Sequence, residues 1–537
     1  MRRLGWWWLA LCTSTALAQP LPELPDPDRL AEQLLGGERG AAVVAIARGD
    51  QTLRGSASRP ESAIDADTAL FEIGSVSKVF TGLLLAQAVE RGELSLDDTL
   101  GQRLPRQTKG TPAAAITLRQ LVTHSACLPR TLVADGPDAV AEIRTLTRAQ
   151  LWDALGPLVL TGQPPCAPRY SNLGMALLGS LLAEHHGQPW EALVRERIAV
   201  PLAMHDTVQT LDAARRARML PAFEGETPAP LWDMDAYAGA GALRSSTADL
   251  LRFGQALLAG REGPLGPAAE RLLTPLGRYA GGEIGYGILV LGPPGRRVYL
   301  HDGLTGGYRT LWMLMPEGRQ VLVASASNAR AALGTLRGRV LAALFPVPSQ
   351  PVDVAPSALA PLTGEYRSGD GTLFRVLLHE DRLYARGGPL GFAPLVPVGP
   401  GQFARPERGL LFRFDAATEP AQLTVQQGGA EQRALRTARA VPGMAIPARG
   451  DVADAVGRYR LGNGAEFSIR AEQGQLIARL AQQPAFPVFA RPGQRDRYFY
   501  EVVPAELQFE RDAAGRVNAL VLHQGGEHRA ERVGTEP

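Results

Sequence analysis

Two stretches of this chain repeat one another. GEYRSGDGTLF from Gly364 and GRYRLGNGAEF from Gly457 match at Gly364, Tyr366, Arg367, Gly369, Gly371 and Phe374 with one constant offset. The same offset carries Leu383, Ala385 and Arg386 onto Leu476, Ala478 and Arg479, and QQGG (426–429) answers HQGG (523–526) after a small insertion. Both copies alternate apolar and polar residues between glycine turns and lack a helical period, the pattern of small antiparallel β-barrels or sandwiches. The last third of the chain therefore reads as two duplicated all-β domains, 362–440 and 441–537.

The proline-rich FPVPSQPVDVAPSALAP (345–361) precedes them and reads as a linker over 346–361. Upstream, strands and helices alternate. AAVVAIARG (41–49) followed by TLRGSAS is a hairpin, and SKVFTGLLLAQAVERGEL is a buried helix stopping at Gly92. LGMALLGSLLAEHHG (173–187) is another helix with a glycine stop. YLHDGLTGGYRTLWMLMPEGRQVLVASASN forms two or three strands with a PEG turn between the last two. Mixed order of this kind predicts an α+β domain over 19–345, with helices packed on an antiparallel sheet.

The N-terminus is of a different kind. Arg2 and Arg3 precede an apolar run from Leu4 to Ala18 that closes on Ala16-Leu17-Ala18, the small-x-small pattern of a signal-peptidase site. Residues 1–18 read as an export signal, which places the mature protein in the periplasm or outside the cell. The run is shorter than the ~20 apolar residues a bilayer span needs. Leu11 before Cys12 is not the small residue a lipoprotein signal requires. No later segment reads as a membrane span.

A formal net charge of +2 on 537 residues is too weak a field to argue for nucleic acid or an anionic membrane. The partner is expected to be a small molecule or short peptide. After export Cys127 and Cys166 are the remaining cysteines, and an oxidising compartment favours a bridge between them over two buried thiols. The eight histidines include no H-E-x-x-H spacing and no Cys/His cluster, so neither a metal nor another cofactor is expected.

The chain writes its cations almost entirely as arginine, with lysine only at 78 and 109. Lys78 follows Ser75 by three residues in GSVSKVF, and on a helix that spacing puts both side chains on one face. A serine hydroxyl needs a neighbouring base to become a nucleophile. Burial can lower a lysine toward its neutral amine, whereas a guanidinium stays charged at any working pH. PRYSNLG then supplies Tyr170-Ser171-Asn172, and YLHDGLTGGY supplies His301-Asp302-Gly303 at a strand end.

That ordered set, S-x-x-K, Y-x-N and a basic residue-x-Gly, resembles the penicillin-recognising serine hydrolases. The likeness is to the branch holding class C β-lactamases, D-Ala-D-Ala peptidases, D-stereospecific aminopeptidases and related esterases. It covers about residues 30–345 and includes LRQLVTHSACLPR (118–130), PLAMHDT (201–207) and GAGALRSSTADLLRF (239–253). The resemblance implies a class C β-lactamase-like catalytic domain in which Ser75 is acylated. Lys78 and Tyr170 share the proton work, with a tyrosinate beside the lysine ammonium as base. Asn172 holds Lys78 and a substrate amide, and the backbone N–H groups of Ser75 and Leu304 form the oxyanion hole beside His301 and Gly303. The family usually has lysine where this chain has His301, which is only partly protonated near pH 7. Histidine-x-glycine followed by two β domains resembles the D-stereospecific aminopeptidases. Cys127 stands where a glycine is usual, and a bridge to Cys166 would tie two active-site loops together. The expected activity is hydrolysis of β-lactams or D-amino-acid peptides through an acyl-enzyme. An esterase on the same site and an inactive binding or scaffold relative are the alternatives.

Overall fold

The computed structural model describes residues 26–535 apart from 134–136, 380, 388–391, 439–451, 473–474, 482, 484, 492, 501–502 and 504. The expected export signal, residues 1–18, and the expected boundary at 440/441 lie outside the described residues. No described helix is long and apolar enough to cross a membrane.

The hairpin read from AAVVAIARG is present as β1 (Gly40–Arg48) and β2 (Gln51–Arg59). β1 is buried along its whole interior because both faces of its sheet are covered. Alternate residues Ala42, Val44 and Ile46 pack with Leu30 and Leu34 of α1 (Pro27–Leu35) and with Leu336 and Val340 of the C-terminal helix Leu333–Leu344. Ala45 and Ala47 face the opposite way, into a second core that contains Phe80, Phe253 and Trp312. Burying each large apolar side chain in these two layers stabilises the fold by about 1.5–3 kcal/mol.

The sheet continues through β3 (Gly277–Tyr279), β4 (Gly282–Ile284), β5 (Leu289–Leu291), β6 (Val298–Leu304), β7 (Arg309–Met315) and β8 (Gln320–Ala326). Its order is β2-β1-β8-β7-β6-β5-β4-β3, with neighbours antiparallel. The PEG turn is a short 3-10 segment, Pro316–Gly318, between β7 and β8. Two buried helices, α2 (Ser77–Glu90) and α3 (Asn172–His186), form the heart of the helical part, and α3 stops on Gly187 in the left-handed conformation. Helices on an antiparallel sheet, as the segment pattern predicts, thus make up the first part of the chain.

The repeat is visible atom by atom. Tyr366 donates to the carbonyl of Leu362 at 2.9 Å, and its counterpart Tyr459 donates to the carbonyl of Ala455 at 2.8 Å. The paired glycines Gly364 and Gly457 share φ values of 145° and 152°. Phe374 and Phe467, with Leu383 and Leu476, occupy the same core positions. In the second copy eight strands from Gly457 to Gly534 close into a barrel. In the first, nine strands form one sheet whose two ends, Ala393–Pro394 and Val396–Gly399, are separated only by Leu395, so the sheet nearly closes on itself.

The stretch read as a linker is no free tether. Leu359 is buried in the core of the first β module, and Val352 donates its N–H to the carbonyl of Pro397 at 3.0 Å. That module also docks on the eight-stranded sheet. Glu431 N–H donates to Gly281 O at 2.7 Å, at the tip of the β3–β4 hairpin, and Gly292 N–H donates to Gly429 O at 3.0 Å. Phe392 and Phe489 meet edge to face at 6.0 Å and join the two modules.

Candidate active site

Gly74 opens the Ser75 segment with φ 50°, a conformation that suits a residue without Cβ. Ser75 follows in a 3-10 turn, Gly74–Val76, that runs directly into α2. The serine therefore precedes the α-helix instead of lying on it, while Lys78 is its second residue and is fully buried. The three-residue spacing still brings them together: Lys78 Nζ lies 3.0 Å from Ser75 Oγ.

The second segment is built by a helix cap. Ser171 Oγ accepts from Gly174 N–H at 3.0 Å and starts α3 at Asn172. Asn172 in the first turn puts its Oδ1 2.8 Å from Lys78 Nζ, and Tyr170, one residue before the cap, donates its hydroxyl to Ser75 Oγ at 2.6 Å. The third segment is β6. Gly303 is required there by close approach, because a Cβ at 303 would sit 1.9 Å from the carbonyl oxygen of Ile73. With no side chain in the way, β6 lies against the nucleophile turn and a Cβ built on Gly74 would be 2.7 Å from Leu304 N.

Ser75, Tyr170, Asn172, His301 and Leu304 line one cavity of about 780 Å³. Burial dominates its electrostatics. It holds the Lys78 amine well below the usual lysine range, with the nearby Arg130 charge acting in the same direction. It also pushes the Tyr170 phenol above its usual range, against the lowering effect of the Ser75 hydrogen bond. Both shifts run toward the neutral form, against the ammonium–tyrosinate pair implied by the resemblance. A neutral amine has two N–H donors and one lone pair. Asn172 Oδ1 and the carbonyl of Ala240, at 2.7 Å, accept from Lys78 Nζ, so in that neutral form the lone pair would face the Ser75 hydroxyl.

His301 differs from expectation. Burial depresses it to about 3, so it is neutral near pH 7. Its Nδ1 lies 2.7 Å from the carbonyl of Asp302, which can only accept, so Nδ1 carries the proton and Nε2 is an acceptor. Asp302 itself is ion-paired with Arg337 of the Leu333–Leu344 helix.

Cys127 and Cys166 are joined in a disulfide. Position 127 has φ 58°, which accounts for the glycine usual there. The bridge is part of a lacing between two loops: Cys166 N–H donates to Ser125 O at 2.9 Å, Arg169 N–H to His124 O at 2.9 Å, and Ser171 Oγ–H to Pro129 O at 2.6 Å.

Sequence reasoning missed three parts of the site. The Ala240 carbonyl carries no side-chain signal, although it lies inside GAGALRSS. His124, whose ring is 4.7 Å from that of Tyr170, and Arg130, whose guanidinium is 5.3 Å from the Tyr170 ring centre, both sit in the stretch LRQLVTHSACLPR. Elsewhere, Glu93, His185 and His186 bring one donor atom each within 4.8 Å of one another. Both ring nitrogens of His186 lie against the Arg197 guanidinium, at 3.3 and 3.2 Å, and that charge opposes a cation there.

A family model described as Beta-lactamase matches residues 27–343. Beta-lactamase-like 1 of Homo sapiens is 30% identical over 422 residues, spanning 72% of this chain and 81% of the relative. The D-alanyl-D-alanine-carboxypeptidase/endopeptidase AmpH of Escherichia coli K12 is 30% identical over 282 residues, 49% of this chain and 71% of the relative. Among solved structures, a beta-lactamase/D-alanine carboxypeptidase from Pseudomonas syringae superposes with a TM-score of 0.52 at 17% identity. That superposition covers 60% of this chain and 98% of the other, and shows a shared fold.

Proposed function

Since this chain belongs to the Beta-lactamase family and is a serine hydrolase of its class C and DD-peptidase type, we propose that it hydrolyses β-lactams or D-amino-acid-containing peptides through an acyl-enzyme on Ser75. The observation that carries this reading is the position of Ser75 Oγ, 3.0 Å from Lys78 Nζ and 2.6 Å from Tyr170 Oη at the floor of one cavity.

The neutral Lys78 amine takes the Ser75 proton as Oγ attacks the carbonyl carbon. The backbone N–H groups of Ser75 and Leu304 receive the developing oxyanion. Tyr170, kept as a phenol by burial, gives its proton to the leaving nitrogen and is resupplied by the Lys78 ammonium. The C–N bond breaks and the acyl group stays on Ser75. In deacylation water gives its proton to the Tyr170–Lys78 pair and attacks the ester carbonyl, the acyl–Oγ bond breaks, and the pair returns the proton to Ser75 Oγ as the acid product leaves. Asn172 keeps Lys78 aimed and offers its amide to the substrate. The same reading assigns residues 1–18 to an export signal, 19–345 to the catalytic domain, and 362–440 and 441–537 to the two β modules, and places the protein in the periplasm or outside the cell.

Intact-mass measurement after incubation with benzylpenicillin, together with nitrocefin turnover, tests it. The wild type should gain one penicilloyl mass on the peptide holding Ser75, and Ser75→Ala should gain none and lose turnover. A wild-type protein that forms no adduct with β-lactams or D-Ala peptides overturns the reading. One observation favours the esterase alternative, the neutral His301, which supplies no fixed charge for a substrate carboxylate. Turnover of short-chain p-nitrophenyl esters far above that of amides would select it.

A further inference from the structure

The residues on either side of Tyr170 both donate to one residue, His124. It follows the short helix Leu118–Val122 with φ 59°, in the left-handed region. Its carbonyl accepts the N–H of Arg169 at 2.9 Å, and its Nδ1 accepts the N–H of Ser171 at 3.3 Å. Between those two bonds the imidazole lies against the phenol itself, with ring centres 4.7 Å apart and 41° between the planes.

A backbone N–H can only donate, so His124 Nδ1 presents a lone pair and the neutral ring carries its proton on Nε2. Burial holds this imidazole well below the usual histidine range, so the acceptor persists near pH 7. His124 is itself anchored: its N–H donates to Leu121 O at 3.2 Å, and the next residue, Ser125, donates to Gln120 O at 2.9 Å. The Cys127–Cys166 bridge and the bond from Ser171 Oγ–H to Pro129 O also tie this loop, at positions 166 and 171. Lys78 Nζ, the Arg130 guanidinium and the His301 ring face the phenol too, 4.8, 5.3 and 6.2 Å from its centre. His124 combines the two kinds of contact, with the ring and with the backbone on both sides of it.

Resting on the acyl-enzyme reading above, we propose that His124 is the positioning residue for Tyr170, fixing its backbone and its ring so that the phenol meets Ser75 Oγ at 2.6 Å. The hydroxyl stands at the far end of a rigid ring, so a small tilt at the backbone becomes a larger displacement at Oη. Displacing a reacting group by about 1 Å can cost about 100-fold in rate. His124 acts through Tyr170 and not on the reacting atoms, so its effect exists only while Tyr170 has a hydroxyl to place.

The experiment measures single-turnover acylation by nitrocefin in the wild type, His124→Phe and His124→Asn, and again for all three in a Tyr170→Phe background. Phenylalanine keeps a ring and loses the acceptor. Asparagine keeps an acceptor near the place of Nδ1, tolerates the left-handed backbone and loses the ring. With Tyr170 present, His124→Phe should slow acylation by about 10- to 100-fold, and His124→Asn should slow it by a smaller factor, a partial rescue. With Tyr170 already phenylalanine, either substitution should change the remaining rate by less than about twofold, because the group it positions is gone. A role confined to folding would cost the same factor in both backgrounds. For either variant, that equal factor, or an undiminished rate with Tyr170 present, overturns the assignment, so one folded variant suffices. If Ser75 of the wild type is still acylated in that case, the acyl-enzyme reading survives and this inference alone falls. If neither nitrocefin nor benzylpenicillin acylates the wild type, both fall.

Discussion

Lys78 Nζ donates to Asn172 Oδ1 across 2.8 Å, joining two residues ninety-four positions apart in the chain. With the Ala240 carbonyl this contact holds Lys78 Nζ beside Ser75 Oγ. An arginine at 78 keeps its charge and has no lone pair to offer. Lys78→Arg should therefore lower the acylation rate by about 10²- to 10⁴-fold, the range a positioned general base contributes. Stopped-flow acylation with nitrocefin reads this directly, and a variant within a few-fold of wild type would contradict the role.

The pH dependence separates Lys78 from His301. Lys78 is held below its usual range, so kcat/KM should fall on the acid side as pH drops through the folded-state value and the amine takes a proton. His301 titrates near 3 and cannot produce that limb. A pH–rate profile of His301→Gln should keep its acid limb in place, whatever its height; loss of the limb would assign it to the histidine.

His301 also links folding to pH. The unfolded chain protonates this imidazole near 6.5 and the folded protein only near 3, so stability contributed by its burial is present above 6.5 and is lost as pH falls toward 3. Urea unfolding at pH 4 and pH 7 should show a smaller loss at pH 4 for His301→Gln than for wild type. An equal loss in both would show that the folded histidine protonates normally.

Gly303→Ala should damage both fold and chemistry. Its Cβ would fall 1.9 Å from the Ile73 carbonyl oxygen, so β6 must retreat from the nucleophile turn and take the Leu304 N–H with it. Losing one oxyanion donor raises the barrier by about 3 kcal/mol, and the steric shift itself costs about 1–3 kcal/mol of stability. Thermal melting and kcat on one soluble substrate measure the two effects. An alanine variant with wild-type kcat would place the donor elsewhere.

The Cys127–Cys166 bridge closes a loop with a sequence separation of 39, worth about 4 kcal/mol in the chain-entropy account. Because it laces the Tyr170 loop to the Arg130 loop, replacing both cysteines by serine should reduce stability and kcat together. Denaturant unfolding and steady-state kinetics on the double variant check this. Full activity at reduced stability would confine the bridge to a structural role.

Much of this molecule was legible in the sequence because the signals are local. A period of two between glycine turns marks strands wherever it occurs, and a matched Tyr366 and Tyr459 make the same hydrogen bond four residues upstream in both copies. Ser75 and Lys78 are one turn apart, and Ser171 marks the start of α3 by capping it. Arg130 was hidden because one arginine among 56 Lys and Arg residues has no local mark that distinguishes it from a solvated surface cation. The Ala240 carbonyl was hidden because every residue carries one.

Residue type and short spacing by themselves determined the segments, the duplicated modules and the pairing of Ser75 with Lys78. Only the tertiary structure decided the protonation states, the role open to His301, the cation beside Tyr170 and the docking of Glu431 on Gly281. The physical reason is range: hydrogen-bonded turns and hydrophobic periods act between near neighbours in the chain. Desolvation and charge instead depend on which distant residues the fold packs around a group.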